Sequence, residues 1–323
     1  MLELFLSILG QMIYLFSFIV IGFIVSKWKF VPENGAAVLS KLENIVFLPA
    51  AVMVTFINDC TMDKIADLWM MVVGSFALGL LLIPLSSFCA KLCFKEDYVQ
   101  KIASYGLTFS NFGYMGLAVM PAVFPEIELE YTIFTLPFWI MIYAWGAPVL
   151  LIGGSNNGEK VPFKARLKSF VNPMLIGMLI GLVIGLTGLS KYIPKPVSSV
   201  LVAGKNCMSP IAMLLTGMTI AKIDIIALIK KWRIYLVSII KLLVYPLLFI
   251  LVFVFIPKNA FLSDALLTCA FCITCMPMGL NGIVIPAGYG KDTTDAAGMA
   301  LVTHLFSILT IPLMFMLFCN IIV

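Results

Sequence analysis

The chain is dominated by ten apolar stretches of about twenty residues each, the length that an α-helix needs to cross the hydrocarbon core of a bilayer. They lie at roughly 5–26, 42–58, 68–92, 101–124, 131–153, 171–189, 197–221, 234–256, 263–288 and 297–321. Backbone polar groups in lipid must be satisfied internally, so only helices and closed barrels span membranes. Barrel strands would give alternating runs of about ten residues instead of solid apolar stretches. The pattern therefore predicts an all-α membrane protein with ten transmembrane helices.

The composition excludes an ordinary water-soluble domain. Of the 323 residues, 62% are apolar and 11% are charged, whereas soluble domains carry about 25% charged residues. The net charge of +5 comes from basic residues in short loops, as is typical of the cytoplasmic ends of membrane helices. We therefore expect the lipid bilayer as a partner and no nucleic acid.

The basic residues also indicate the orientation. Lysine and arginine concentrate in alternate loops, with fifteen residues on one side and four on the other. The positive-inside rule places the rich side in the cytoplasm, both termini outside, and the acidic run at 126–130 outside as well. Residues 1–4 lack the basic region of a cleavable signal peptide. We expect a multi-pass protein of the cell membrane.

The cysteines lie mostly inside apolar stretches, where they behave as small apolar side chains. Cys269, Cys272 and Cys275 share a helical face, which leaves two interpretations, a metal site or a packed face of small residues. A metal site would need further His or carboxylate ligands, and the neighbouring sequence offers none. We expect no metal, no cofactor and no disulfide framework.

Prolines recur in the two halves of the chain in the same order. The matching pairs are Pro49 with Pro210, Pro84 with Pro246, Pro121 with Pro286, and Pro137 with Pro312. Their separations of 161, 162, 165 and 175 residues rise as small insertions would produce. Each repeat has an odd number of helices, five, so it starts and ends on opposite sides of the membrane. The second copy must therefore insert upside down, which is an architecture of secondary transporters. The domains are then a first repeat over 1–153, a short cytoplasmic loop over 154–170 and an inverted second repeat over 171–323.

The fourth and ninth apolar segments are rich in glycine and proline, which weaken helices. A break at membrane depth is tolerated where it is buried in protein or lines a cavity. Half-helix ends suit anions, and asparagine adds hydrogen-bonding groups without charge. The alternative is a kinked packing helix with small residues for close approach. We predict broken crossover helices 4 and 9 and a substrate-binding site formed by Asn111, Gly113, Pro121, Asn281, Gly282 and Pro286.

Three ionisable side chains inside the predicted helices are candidates for ion coupling. Lys205 and Lys241 lie roughly 10–14 Å into their segments at 1.5 Å per residue, where lysines either face a cavity or extend back to the interface. His304, the only histidine, is either a packed, hydrogen-bonded residue or a proton carrier. Glu43, by contrast, is expected at the cytoplasmic interface.

Several runs resemble the auxin efflux carrier family, which includes bacterial malate and malonate permeases. They lie at 42–50, 110–116, 172–181, 210–217 and 286–292, and the resemblance covers nearly the whole chain. It implies the fold of bile acid:sodium symporters, with the first, second, sixth and seventh helices as a scaffold and a substrate site where two broken helices cross. By match to that crossover, Pro121 and Pro286 are its prolines, and Asn111 and Asn281 are its polar residues. Plant members have a long central loop, so the short one here indicates the bacterial type.

Together these features predict a secondary transporter, or permease, that moves a small organic anion, a mono- or dicarboxylate, by alternating access. Two other classes stay open. An intramembrane enzyme would need a motif such as His-Glu-x-x-His or Gly-x-Ser-x-Gly, and neither occurs. A membrane sensor with a transporter fold would bind a small ligand without transport, usually beside a signalling domain. We expect no enzymatic activity, and the sequence leaves a homodimer open.

The coupling ion is inferred from the same residues. No Asp or Glu occurs in 107–124 or in 269–288, so a sodium ion there would rest on carbonyls and amides alone. His304 is the one side chain that ordinarily titrates near neutral pH. We therefore expect sodium-independent transport, either passive or linked to protons through His304.

Overall fold

The computed structural model describes residues 2–152, 173–222, 230–257 and 262–323. Over these ranges the chain is almost entirely helical, and its one β-type contact is an isolated antiparallel bridge between Ser110 and Met278. The predicted loop over 154–170 lies outside the described residues.

The helices, in chain order, are α1 Leu2–Lys27, α2 Gly35–Leu42, α3 Leu48–Asp59, α4 Met62–Cys93, α5 Asp97–Thr108, α6 Leu117–Val123, α7 Glu128–Met141, α8 Pro173–Thr187, α9 Lys195–Ile220, α10 Trp232–Ile239, α11 Tyr245–Phe253, α12 Asp264–Cys275, α13 Asn281–Gly288 and α14 Thr294–Ile321. Among the described residues, seven continuous helical stretches are long and apolar enough to cross a membrane: Leu2–Lys27, Gly35–Asp59, Leu68–Cys93, Pro125–Ile152, Lys195–Ile220, Trp232–Phe253 and Thr294–Ile321. The prediction of an all-α, multi-pass membrane protein is confirmed at this level.

Two of these stretches contain a widened π-turn just before a proline. Glu43–Phe47 joins α2 to α3 ahead of Pro49, and Ile240–Val244 joins α10 to α11 ahead of Pro246. Proline has no N–H and crowds the carbonyl four residues earlier, and single π-turns of this kind occur inside α-helices, frequently at functional sites. Two buried ionisable residues, Glu43 and Lys241, lie within these turns.

Glycines bring α1 and α9 into backbone contact. A side chain at Gly22 of α1 would collide with the backbone of Leu214 on α9, and one at Gly217 of α9 would collide with the backbone of Ile19 on α1. Small residues at such positions allow the close helix packing on which membrane helices depend. The two helices are therefore fixed to each other by reciprocal contacts.

A second close pair is formed by α8 and α3. Gly177, Gly181 and Gly185 recur every four residues along α8, so they lie on one face of the helix. A side chain on any of them would meet a backbone carbonyl of α3: Pro49 for the first, Met53 for the second and Phe56 for the third. Together with α1 and α9, this pair forms a compact group that we call the scaffold pairs.

The glycine contacts give a first prediction, for which α1 supplies its own control. We expect Gly22→Ala to lower the free energy of unfolding by about 1–3 kcal/mol, because the added methyl group meets rigid backbone. Nothing lies within 4 Å of the position that a side chain would take at Gly10, so Gly10→Ala is expected to be neutral or stabilising by up to about 1 kcal/mol. Thermal melting in detergent measures both. Equal melting temperatures for the two variants would contradict the close contact.

The other helices form a second group around α14. This helix lies along α1, α5 and α10, while α4 packs against α5 and α7. The ring of Phe271 on α12 stacks on that of Phe318 on α14, with 4.2 Å between centroids. The residues at 102–116 and 266–278 are all buried. This group therefore encloses two segments whose helices are interrupted, and the candidate site lies where they meet.

Candidate substrate-binding site

The two interrupted segments lose helical structure at matching places. In the first, α5 ends at Thr108 and helix resumes at Phe112 in a π-turn that leads into α6. In the second, α12 ends at Cys275 and α13 begins at Asn281. Each segment is thus two half-helices joined by a short unwound stretch.

The unwound stretches pair with each other. Asn111 N–H donates to Pro277 O over 2.7 Å, and Gly279 N–H donates to Phe109 O over 3.2 Å. The pairing is antiparallel. Backbone groups freed by the breaks are thereby satisfied inside the protein, as the membrane interior requires.

Small residues make this crossing compact, although not all of them are needed for packing. A side chain at Gly113 would collide with the Trp139 ring, whereas a Cβ at Gly282 would lie 3.4 Å from Tyr105, an ordinary contact. Packing alone therefore requires glycine at the first position and tolerates a larger residue at the second.

Asn111 and His304 are joined by a hydrogen bond. The Asn111 side chain is 2% exposed, and its Nδ2 lies 3.0 Å from His304 Nε2. His304 Nδ1 lies 2.8 Å from Ala300 O, which can only accept, so Nδ1 carries the hydrogen and Nε2 accepts from Asn111. Asn111 Oδ1 is buried with no hydrogen-bond partner. The structure thus joins a predicted binding residue to a predicted proton carrier.

Three cavities lie at the crossing or along the helices that form it. The crossing cleft itself measures about 10 Å³ and is lined by Tyr105, Asn111, Gly113, Tyr114, Trp139 and Asn281. A cavity of about 160 Å³, the Asn44 cavity, is lined by Ser40, Asn44, Trp139, Tyr143 and Asn281. A third of about 190 Å³, the Glu128 cavity, is lined by Gln11, Thr55, Pro121, Glu128, Lys205 and Ser209. The cleft holds no more than about one water, and it shares Trp139 and Asn281 with the Asn44 cavity but no lining residue with the Glu128 cavity.

Asn281 connects the cleft to one of these spaces, because it lines both the crossing cleft and the Asn44 cavity. Tyr114 lines the cleft as well. Its hydroxyl donates to Asn44 Oδ1 over 3.2 Å, and its carbonyl accepts from Ser209 Oγ over 3.1 Å. Through Tyr114 the first interrupted segment is tied to residues of the scaffold pairs and their π-turn.

Lys205 lies away from the crossing. Its ammonium forms an ion pair with Glu128, and the Thr55 hydroxyl donates to the same carboxylate oxygen over 2.8 Å. Pro121 lies in this cavity too, while Pro286 is buried within α13. Of the predicted site residues, the crossing cleft is lined by Asn111, Gly113 and Asn281, and the Glu128 cavity by Pro121 and Lys205, while Gly282 and Pro286 line neither.

Lys241 is fully buried beneath the crossing, where its amine donates to two backbone carbonyls. The three cysteines that share a face of α12 are buried and free. Among the described residues, no three His, Cys, Asp or Glu side chains are grouped so that they could hold a metal ion.

Glu43 departs from the sequence-based expectation of an interfacial residue. Its side chain is 0% exposed, and neither carboxyl oxygen has a hydrogen-bond partner. The π-turn at Glu43–Phe47 packs against α8 and α9, and this packing removes the residue from water. Position near a helix end indicated the interface, but the tight scaffold pairs override it.

We expect Glu43→Leu to stabilise the protein by about 1–3 kcal/mol, the cost of a buried polar group without a partner. Glu96→Leu is the matched control, since Glu96 is exposed and surface substitutions usually change stability by less than about 0.5 kcal/mol. Melting in detergent at neutral pH measures both. A lower melting temperature for Glu43→Leu than for the parent would show that the carboxyl group has a stabilising partner.

Sequence reasoning missed several residues around the crossing. Tyr105, Trp139 and Asn44 line the cleft or the neighbouring cavity, and the first two carried no signal beyond their position in an apolar helix. Asn44 and Tyr114 do fall inside the runs that resemble the auxin efflux carrier family. Those runs were the only available pointer to them.

The helices and the crossing define a multi-pass α-helical membrane protein with a polar site buried where two interrupted segments meet. The sequence profile of the family described as membrane transport protein matches residues 7–315. The chain therefore belongs to this family of membrane transporters, the auxin efflux carrier family that its motifs indicated. Members of the family are transporters and not enzymes. Among individually curated proteins, none matches this chain significantly.

Proposed function

We propose that this protein is a secondary transporter that moves a small organic anion, a mono- or dicarboxylate, by alternating access. The observation that carries the proposal is a closed cleft that contains two amides, with the Asn44 cavity next to it and the Glu128 cavity at another depth along the same helices. Asn281 faces the cleft and the Asn44 cavity, and Asn111 faces the cleft. A solute that entered from one cavity would meet both amides before it reached the other cavity.

The two cavities lie at different depths along the same helices. In the stretch Gly35–Asp59, Asn44 lines one cavity and Thr55 lines the other. Eleven residues separate them, which is about 16 Å along a helix. In Pro125–Ile152, Tyr143 and Thr132 line the same two cavities in turn. This separation is what an alternating-access carrier requires of its two entrances.

The charge around the crossing supports an anion. Neither interrupted segment contains an Asp or Glu in 107–124 or 269–288, so no carboxylate repels an anion there. The amide of Asn281 stands at the start of α13, where the helix dipole is positive. A carboxylate would find the Asn281 amide and the Ser110 hydroxyl as hydrogen-bond donors, and no competing negative charge.

The inverted repeat remains part of the proposal. The antiparallel bridge between Ser110 and Met278 supports two segments that enter the membrane from opposite sides. We propose ten spans in two five-helix repeats over 1–153 and 171–323, with both termini outside the cell membrane, as the distribution of basic residues indicates. A homodimer stays open.

The orientation can be measured with two exposed glutamates. Glu126 precedes α7 and Glu96 precedes α5, and we expect them on opposite sides of the membrane. Glu126→Cys should react with an impermeant thiol reagent added to intact cells, whereas Glu96→Cys should react only after permeabilisation. Both substitutions are made in a background without reactive cysteine. Labelling of both from the same side would contradict the inverted repeat.

Transport itself is tested by uptake of labelled mono- and dicarboxylates into proteoliposomes. We expect saturable uptake that is unchanged when sodium replaces potassium at fixed membrane potential, because the crossing offers sodium no carboxylate. A thermal-shift screen of carboxylates on purified protein selects the substrate, since a ligand that binds the folded state raises its stability. Binding without flux would indicate a sensor instead, and a strict sodium requirement would refute the proposed coupling.

A further inference from the structure

Lys241 is a buried lysine for which the described residues provide no carboxylate partner. Its side chain is 0% exposed and lies in the π-turn Ile240–Val244. Among the described residues, the lysines that form ion pairs with carboxylates are Lys101, Lys205 and Lys231. A buried ammonium ion loses several kcal/mol of hydration free energy unless other groups compensate for its charge. The compensation must come from what surrounds the amine.

Those surroundings are the carbonyl ends of two half-helices. Lys241 Nζ donates to Leu107 O over 3.3 Å and to Ile273 O over 3.4 Å. Leu107 is in the last turn of α5, and Ile273 is in the last turn of α12. The ring of Tyr245 lies on another side, with its centroid 5.6 Å from Nζ. Every one of these groups presents negative partial charge to the amine.

The partial charges at the ends of the two half-helices also match the charge of one ammonium group. Each of α5 and α12 has 12 residues, and a helix of this kind carries a partial charge of about −0.5 at its carboxyl end. Two such ends together present about one negative charge, which a single ammonium group balances. Without the ammonium group the two ends would repel each other at the point where both segments break.

We propose that Lys241 is a built-in cation that holds the carbonyl ends of the two half-helices together, so that the crossing needs no dissociable metal ion. It is a positioning residue, since its amine is committed to backbone carbonyls beneath the crossing cleft. The side chain is covalently attached, so the amine cannot dissociate from the crossing as a metal ion can. Its consequence for transport rests on the proposed function, but the cation site itself does not.

The test removes the Lys241 amine by substitution and then adds small cations that could take its place. In Lys241→Ala the carbonyls of Leu107 and Ile273 keep their places around an empty volume, whereas Lys241→Met fills that volume without charge. We expect sodium or propylammonium chloride to raise the melting temperature of purified Lys241→Ala, compared with choline chloride at equal ionic strength. The parent and Lys241→Met should show no such difference. This measurement requires no transport, so it stands even if the proposed substrate class is wrong.

In proteoliposomes free of added small cations, both variants should lose carboxylate uptake by roughly 10–150-fold, the effect of losing a hydrogen bond to a charged group. Uptake by Lys241→Ala alone should recover with sodium or propylammonium. Melting and uptake of Lys241→Met that equal those of the parent would overturn the proposal. A melting temperature of Lys241→Ala that neither sodium nor propylammonium raises would overturn it as well. If Lys241→Ala does not fold, uptake by Lys241→Met per folded molecule decides between the two outcomes.

Discussion

Asn281→Ala is expected to lower the apparent affinity for the transported carboxylate by roughly 10–150-fold. This side chain lines both the closed cleft and the Asn44 cavity, so a substrate entering from that cavity meets its amide first. Losing a hydrogen bond to a charged group costs about 1.5–3 kcal/mol, which gives that range of affinity. The affinity is measured by thermal shift and by the concentration dependence of uptake in proteoliposomes.

Asn111→Ala should cause a loss of similar size, and the double variant should show no measurable uptake. Asn34→Ala is the matched control, because Asn34 is exposed and its side chain caps no helix. All variants must reach the membrane in equal amounts for the comparison. If Asn111→Ala and Asn281→Ala bind and transport like the control, the two amides are packing groups and the site lies elsewhere.

The second large effect is expected for His304→Gln, which should remove the dependence of uptake on an acidic exterior. In the structure, His304 Nε2 accepts a hydrogen bond from Asn111 Nδ2 while Nδ1 donates to Ala300 O. A protonated ring has donors on both nitrogens, so Asn111 would have to turn its amide and offer Oδ1 instead. That rotation would direct Nδ2 toward the cleft as a donor for an anion. Protonation and anion binding would then favour each other.

Glutamine keeps a donor and an acceptor at position 304 but does not titrate, so it separates proton linkage from simple packing. Uptake is compared with and without an inward proton gradient at fixed membrane potential, in the parent, His304→Gln and the Asn34→Ala control. We expect the gradient to stimulate the parent and the control but not His304→Gln. The same stimulation in all three would exclude His304 as the proton carrier and leave passive transport or another titratable group.

The secondary structure followed from local physical rules. Apolar stretches of membrane length predicted the seven long helical stretches that the described residues contain, and clusters of glycine and proline follow the ends of α5 and α12. Both signals are local, since they depend on the cost of burying backbone groups in lipid and on the missing donor of proline. The 15-residue helix α8 was also predicted, because its run contains no charged residue.

The partners within the site could not be predicted in the same way. Asn111 and His304 are 193 residues apart, and Lys205 and Glu128 are 77 residues apart. No periodicity in the sequence connects such pairs, because they arise only when the helices pack. The burial of Glu43 could not be predicted for the same reason, since it depends on neighbouring helices and not on the sequence of its own segment.

The empty crossing also has a kinetic consequence. Asn111 Oδ1 and Ser110 Oγ are buried there without hydrogen-bond partners, and each such atom costs about 1–3 kcal/mol. An unloaded carrier bears this cost whenever it closes, whereas a bound carboxylate would accept from the Ser110 hydroxyl and, once His304 is protonated and the Asn111 amide has turned, from Asn111 Nδ2. Return of the unloaded form should therefore be slower than passage of the loaded form. Substrate on the far side should accelerate entry, and one-for-one exchange should outpace net flux.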